Sequence, residues 1–153
     1  MNPGGTGKDR VARALLDSAK NHPSYRPGVD IVEGTSGSTG IALACQCRAL
    51  GVQLHVVMPD DQANEKRILL ERLGAKVVVV PTCAIANANH YVNAARKLAV
   101  QLNGIFLDQF ENIANYQAHL ETTGPEIWNQ TQGKLDAFVM SSGTGGTIAG
   151  VSR

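Results

Sequence analysis

The twelve residues Val29-Asp30-Ile31-Val32-Glu33-Gly34-Thr35-Ser36-Gly37-Ser38-Thr39-Gly40 decide the fold. Val29 to Glu33 is a short apolar, β-branched run of strand type, and it stops at Gly34. From Ser38 to Leu50 the pattern is helical and ends at Gly51, the residue type that most readily takes a left-handed helix stop. A strand that passes through a glycine-rich turn straight into a helix is the first half of a parallel crossover unit.

The same grammar repeats outward. Downstream, Gln53 to Met58 reads as a strand closed by Pro59. Asp60 and Asp61 suit a helix start, because carboxylates answer the unpaired N–H groups there, and that helix runs to about Leu73 before Gly74. Lys76 to Val80 is an unbroken β-branched strand of the kind buried on both faces of a parallel sheet. Asn87 to Leu102 repeats apolar residues at helical spacing, Ile105 to Leu107 is extended, and a helix is expected between Asn115 and Gln130, interrupted or restarted at Gly124-Pro125. Asp136 to Met140 reads as one more strand, followed by a glycine-rich loop and a helix from Ile148. Upstream, Lys8 to Lys20 is helical, and His22 to Gly28 breaks it with two prolines. Strands alternating with helices imply right-handed crossovers and an α/β fold of three layers, α/β/α, around a parallel sheet, with ligands at the carboxyl ends of the strands.

Composition narrows the function. The chain has 153 residues, 43% apolar, and its 14 basic against 13 acidic residues leave a net charge of +1. No broad positive field exists to hold nucleic acid or an anionic membrane, and no apolar run approaches a bilayer span. Any anion must be gripped locally. Cys45, Cys47 and Cys83 are too few for a disulfide scaffold and fit a reducing compartment. Cys45 and Cys47 point about 200° apart on a helix, so they pack instead of sharing a metal, and no metal site is expected.

Three loops carry chemistry. In Thr35-Ser36-Gly37-Ser38-Thr39-Gly40, glycines let backbone approach a ligand while hydroxyls and a helix N-terminus offer donors to a carboxylate or phosphate. The glycines fall at every third position and do not form a dinucleotide fingerprint. Gly143-Thr144-Gly145-Gly146-Thr147 again joins a strand to a helix and can present successive N–H groups to a phosphate dianion. The third loop, Asn2 to Arg10, has the outline of a P-loop, but Asn2 stands at the first glycine position and Asp9 replaces the magnesium-binding hydroxyl, which disfavours ATP. What remains is Lys8 at a helix start, where the dipole favours the neutral, nucleophilic amine that can condense with an aldehyde.

Taken together these residues resemble the fold-type II pyridoxal-phosphate enzymes, specifically the cysteine synthase and cystathionine β-synthase family. Asn2 to Arg10 resembles the family's N-P-G-G-S-x-K-D-R segment, Thr35 to Gly40 its T-S-G-N-T-G loop, and Thr122 to Trp128 the string T-T-G-P-E-I-W. Leu107 to Asn112 is similar to the stretch that carries a substrate-contacting glutamine. The resemblance implies Lys8 as the lysine that carries the cofactor as a Schiff base and acts as the base toward the substrate α-proton. It implies Thr35, Ser36, Gly37, Thr39 and Gln109 as substrate ligands, and Gly143, Thr144, Gly145, Gly146 and Thr147 as the cofactor-phosphate loop. Ser38 stands where the family has an asparagine bonded to the cofactor ring oxygen, a contact that serine makes only through a shift or a water. The implied activity is β-replacement on O-acetyl-L-serine or L-serine with sulfide or a thiol, in cysteine biosynthesis. The alternatives are cystathionine β-synthase, a serine/threonine dehydratase, or an inactive anion-binding remnant. The resemblance further implies a small mobile domain at 1–112 and the beginning of a larger cofactor domain at 113–153, with chain missing at both ends. It implies a homodimer for the full-length family, a small amino-acid substrate, no nucleic-acid or membrane partner, and a cytoplasmic or mitochondrial location with any targeting segment upstream. Exposed apolar surface is expected around the strand from Asp136 to Met140.

Overall fold

A computed structural model describes residues 2–153. Four parallel strands, β1 (Ile31–Gly34), β2 (Leu54–Pro59), β3 (Lys76–Val80) and β4 (Ile105–Phe106), lie in the order β3-β2-β1-β4. Helices α1 (Asp9–Ala19), α2 (Ser38–Leu50) and α3 (Asn64–Arg72) contribute to the layer on one face, and α4 (Tyr91–Gln101) covers the other. Then come α5 (Ala114–Ala118), a π-helical turn (His119–Thr123), α6 (Gly124–Gln130) and α7 (Gly146–Val151).

Strand alternation sorts the core into two layers. Ile31, Leu54 and Val56 pack with Val11 and Leu15 of α1, Leu43 of α2 and Leu70 of α3. Val32 and Val57, one residue out of step, pack with Ala95 and Ala99 of α4. The expected three-layer α/β arrangement is therefore present around the sheet. Helix α2 spans the expected Ser38 to Leu50 and ends at Gly51 with φ 67°.

Three expectations need correction. Lys76 to Val80 is a strand, but it lies at the sheet edge, paired among the described residues only with β2, and Val78 and Val79 are each 42% exposed. A β-branched run specifies the strand and leaves open which neighbours flank it. Helix α3 begins at Asn64, with Ala63 before it, because Asp60 serves a loop instead: its Oδ1 accepts from Thr82 N (2.9 Å) and Thr82 Oγ1 (3.0 Å). Gly124-Pro125 restarts the helix as expected: the π-helical turn ends at Thr123, α6 begins at Gly124, and Pro125 falls in its first turn, where no N–H is needed. Asp136 to Met140 joins no ladder among the described residues, and Val139 is 92% exposed, in line with the apolar surface expected there.

Candidate active site

The crossover helices α2 and α4 leave the sheet on opposite faces, so the strand order reverses beside β1. This topological switch lies at the carboxyl ends of β1 and β4, the usual place for a ligand in such a sheet. Four loops converge there: the loop before α1, the turn between β1 and α2, the turn after β4, and the loop before α7.

The first loop folds around a carboxylate. Buried Asp9 accepts from Gly4 N through Oδ1 (3.0 Å) and from Thr6 N through Oδ2 (3.3 Å). The donors that a P-loop would offer to phosphate are thus occupied by the protein itself. Lys8 caps α1, its backbone N–H donating to Thr6 Oγ1 (3.0 Å), and its side chain is half-buried. Burial lowers the Lys8 ammonium pKa below its usual 10.5. The direction matches the neutral amine expected from sequence, with desolvation as the cause.

The turn after β1 is built from the residues quoted at the outset. Thr35 Oγ1 accepts from Gly37 N (3.1 Å), so this buried hydroxyl holds the turn closed. Gly37 has φ 145°, a backbone state L residues rarely adopt, and a Cβ there would lie 2.6 Å from Lys66 Cδ. Ser36 and Ser38 are exposed, and Lys66 Nζ donates to Ser36 O (3.3 Å). Thr6 Oγ1 donates to Ser38 O (3.5 Å), which ties the lysine loop to this turn.

Gln109 ties the turn to β4. Thr39 Oγ1 donates to Gln109 Oε1 (2.5 Å), and Gln109 Nε2 donates to Gly34 O (2.8 Å). Gln109 retains one amide hydrogen for another acceptor. The circuit continues through Asn115, whose Nδ2 donates to Gln109 O (2.7 Å) and to Thr144 Oγ1 (2.9 Å). Lys8 Nζ donates to the same Thr144 hydroxyl at 3.4 Å. Residues 136 positions apart in sequence therefore meet at one oxygen.

Lys8, Thr39, Gln109 and Thr144 stand in one hydrogen-bonded circuit, with Thr35, Ser36, Gly37 and Ser38 in the adjoining turn. Gly143 has open space around it, Gly145 takes φ 81°, and Gly146 lies against the Asn115 side-chain amide so closely that no Cβ fits. Thr147 is set back, its Oγ1 3.1 Å from His119 Nε2.

The structure adds residues to which sequence reasoning gave no role. Asn115 bridges two loops, and its Oδ1 is buried without a partner among the described residues. A lone asparagine at a helix start carries no such signal. Buried His119 also holds Thr123 Oγ1 (2.8 Å from Nδ1). Its spacing of four from Thr123, next to the distinctive T-T-G-P-E string, is the trace that the sequence offers. Arg10 was part of the quoted lysine motif, and its Nη1 donates to Thr122 and Thr123.

The site fits a ligand that carries both an aldehyde and a phosphate. Thr144 Oγ1 receives protons from Lys8 and from Asn115, so its own hydrogen is left to donate outward, beside an amine that burial has made easier to deprotonate.

Comparison with known proteins identifies relatives of the chain. The sequence profile of the family described as pyridoxal-phosphate dependent enzyme matches residues 1–153. Cysteine synthase 1 of Neurospora crassa is 51% identical over 154 residues, covering 100% of this chain and 41% of its own length. Cystathionine beta-synthase of Apis mellifera is 41% identical over 155 residues, covering 100% of this chain and 31% of its own. A crystal structure of O-ureido-L-serine synthase superposes with a TM-score of 0.89 at 39% identity, over 98% of this chain and 47% of that one. The chain thus spans about 41% of the length of the cysteine synthase it matches. On the profile match across its whole length, the chain belongs to the pyridoxal-phosphate dependent enzyme family.

Proposed function

We propose that this chain supplies the lysine, substrate turn and phosphate loop of a cysteine synthase-like β-replacement, in which sulfide or a thiol displaces the β-substituent of O-acetyl-L-serine or L-serine. The observation that carries the reading is the meeting of Lys8 Nζ with Thr144 Oγ1, which brings an amine suited to an aldehyde against a loop suited to a phosphate. The identity with cysteine synthase 1 favours this chemistry over that of the other family members.

Pyridoxal phosphate, when bound, supplies the electron sink that makes the substrate α-proton removable. Lys8 would hold the cofactor and, once the substrate amino group has taken its place, its amine, whose pKa burial lowers, would take that proton at Nζ. Gly143, Thr144, Gly145, Gly146 and Thr147 receive the phosphate through backbone N–H groups and hydroxyls. Ser38, exposed at the first residue of α2, would meet the cofactor ring oxygen through a shift or a water. The substrate carboxylate lies on the Thr35 to Thr39 turn, where the first amides of α2 have no helical carbonyl to pair with. Gln109 donates its remaining amide hydrogen to the substrate. Residues 1–112 form the smaller unit that carries the lysine and the substrate turn, and residues 113–153 begin the cofactor domain.

Adding pyridoxal phosphate to the chain tests this directly. The expected result is a visible absorbance band of the kind given by a pyridoxal joined to an amine, lost in Lys8→Ala and shifted by O-acetyl-L-serine. No band with Lys8 intact would sink the proposal. Release of a keto acid from serine or threonine without any thiol would assign the site to dehydration instead.

A further inference from the structure

The string Thr122 to Glu126 clamps an arginine. Arg10 stands two residues after Lys8, and its Nη1 donates to Thr122 Oγ1 (2.9 Å) and Thr123 Oγ1 (2.8 Å) while Nη2 pairs with Glu126 Oε2 (3.0 Å). Beyond Thr123 lies His119, 3% exposed, with Nδ1 2.8 Å from Thr123 Oγ1 and Nε2 3.1 Å from Thr147 Oγ1. One line of polar groups therefore runs from the start of α1 to the glycine-rich loop.

The chemistry of the donors sets its direction. A guanidinium has no acceptor, so both threonine hydroxyls accept from Arg10. Thr122 sends its own proton to the carbonyl of Ala118. Among the described residues the remaining partner of Thr123 Oγ1 is His119 Nδ1, so the Thr123 proton goes to that nitrogen. A neutral imidazole that accepts at Nδ1 carries its hydrogen on Nε2. Nε2–H then donates to Thr147 Oγ1, which leaves the Thr147 proton to another acceptor. Burial, reinforced by the positive charges of Lys8 and Arg10, pushes His119 down to about 4, so the ring is neutral and has one hydrogen to place.

We propose that Arg10, Thr123 and His119 form a one-way hydrogen-bond relay that holds His119 as the Nε2–H tautomer and turns the Thr147 hydroxyl proton toward an oxyanion in the Gly143 to Thr147 loop. The residues are positioning groups, and the oxyanion end of the relay rests on the function proposed above. The relay links the helix behind the lysine to the loop that receives the phosphate, so the two ends of one cofactor are set by one network.

Long-range proton–nitrogen correlation spectra of the histidine-labelled 153-residue chain, recorded near neutral pH without cofactor, report the tautomer. The expected ring is neutral and protonated on Nε2. Arg10→Met and Thr123→Val, each checked for native circular dichroism, are expected to give a mixture of tautomers or the Nδ1–H form, and Arg10→Lys to retain the native one. Thr147→Val is expected to weaken pyridoxal phosphate binding by about tenfold, the scale of one lost hydrogen bond to a charged group, and Thr147→Ser to restore it. A native ring protonated on Nδ1 overturns the relay, as does a tautomer indifferent to both Arg10→Met and Thr123→Val in folded protein. Unchanged affinity in Thr147→Val overturns its oxyanion end. If no pyridoxal phosphate binds while the ring carries its hydrogen on Nε2, the proposed function and the oxyanion end fail, and the Arg10 to His119 relay stands.

Discussion

Glu33 is a residue whose charge the fold opposes. It is fully buried in β1 beside Val56 of β2, and among the described residues neither carboxylate oxygen has a donor in hydrogen-bonding geometry. Burial first, and then the carboxylate of Asp108, raise its pKa well above 4.5, and the neighbouring backbone of Gln109, Gly34 and Asp108 offsets only part of that. The unfolded chain therefore releases a proton that the native state keeps, and stability falls as pH rises from about 4.5 through the native value. His119 has the opposite sign. Its pKa drops from 6.5 to about 4 on folding, so the unfolded chain binds the proton first and stability is lost as pH falls through that window. At about 1.4 kcal/mol per unit, His119 contributes up to about 3 kcal/mol to that acid-side loss. Urea midpoints measured from about pH 4 to about pH 9 separate the two groups: Glu33→Gln flattens the alkaline decline, and His119→Gln flattens the acid one. An unchanged alkaline slope in Glu33→Gln would show that Glu33 ionises freely in the native state. Neither behaviour was legible in the sequence, because desolvation is set by groups distant in the chain. A glutamate ending a strand and a histidine in a helix look ordinary until the sheet and the threonines close around them.

At the scale of elements, Gly34 shows how the fold and the site share a constraint. It ends β1, receives Gln109 Nε2 on its carbonyl, and lies so close to α4 that an added Cβ would stand 3.0 Å from Val92 Cα and 3.3 Å from Tyr91 O. Both neighbours are backbone, so neither can move aside cheaply. Gly34→Ala is expected to cost about 1 to 3 kcal/mol, the usual range for overpacking a close contact, and to weaken substrate binding by displacing the carbonyl that orients Gln109. Gly7→Ala is the control, because nothing lies within 4 Å of its Cβ position, and it should change stability by under about 0.5 kcal/mol. Equal urea midpoints for the two variants would refute the packing argument. Elements such as α2 and β2 were legible because their signals are local: a periodic apolar face, Gly51 at one helix end, Pro59 at one strand end. The flanks of β3 were not, because burial of a strand depends on its neighbours in the sheet, and strand order is a tertiary choice. The lysine loop, the turn after β1 and the glycine-rich loop before α7 stood out as candidates for a related reason. Each is a contiguous string of glycines and hydroxyls, whereas Asn115 and His119 act alone from helical positions.

The whole molecule has one well-covered sheet and one bare flank. Residues 136–140 run without a strand partner among the described residues, Val139 is 92% exposed, and Leu135 and Met140 are exposed beside it in sequence. Trp128, 62% exposed, lies against Gly133 at the base of the same segment. Unpaired backbone next to apolar side chains is the combination that recruits another chain. The related O-ureido-L-serine synthase structure is matched over 47% of its chain, so more than half of that protein has no counterpart in these 153 residues. Burying a valine or methionine side chain contributes about 1.5 to 3 kcal/mol toward association. The chain is therefore expected to self-associate in sedimentation velocity as concentration rises and to bind a hydrophobic dye. Val139→Lys combined with Met140→Lys should weaken that association by at least about tenfold and leave the far-ultraviolet circular dichroism of the sheet and helices unchanged, because neither side chain belongs to the two core layers. Association undiminished in the double variant would move the sticky surface elsewhere, and the partly exposed edge strand β3, with Val78 and Val79, is the next face to charge.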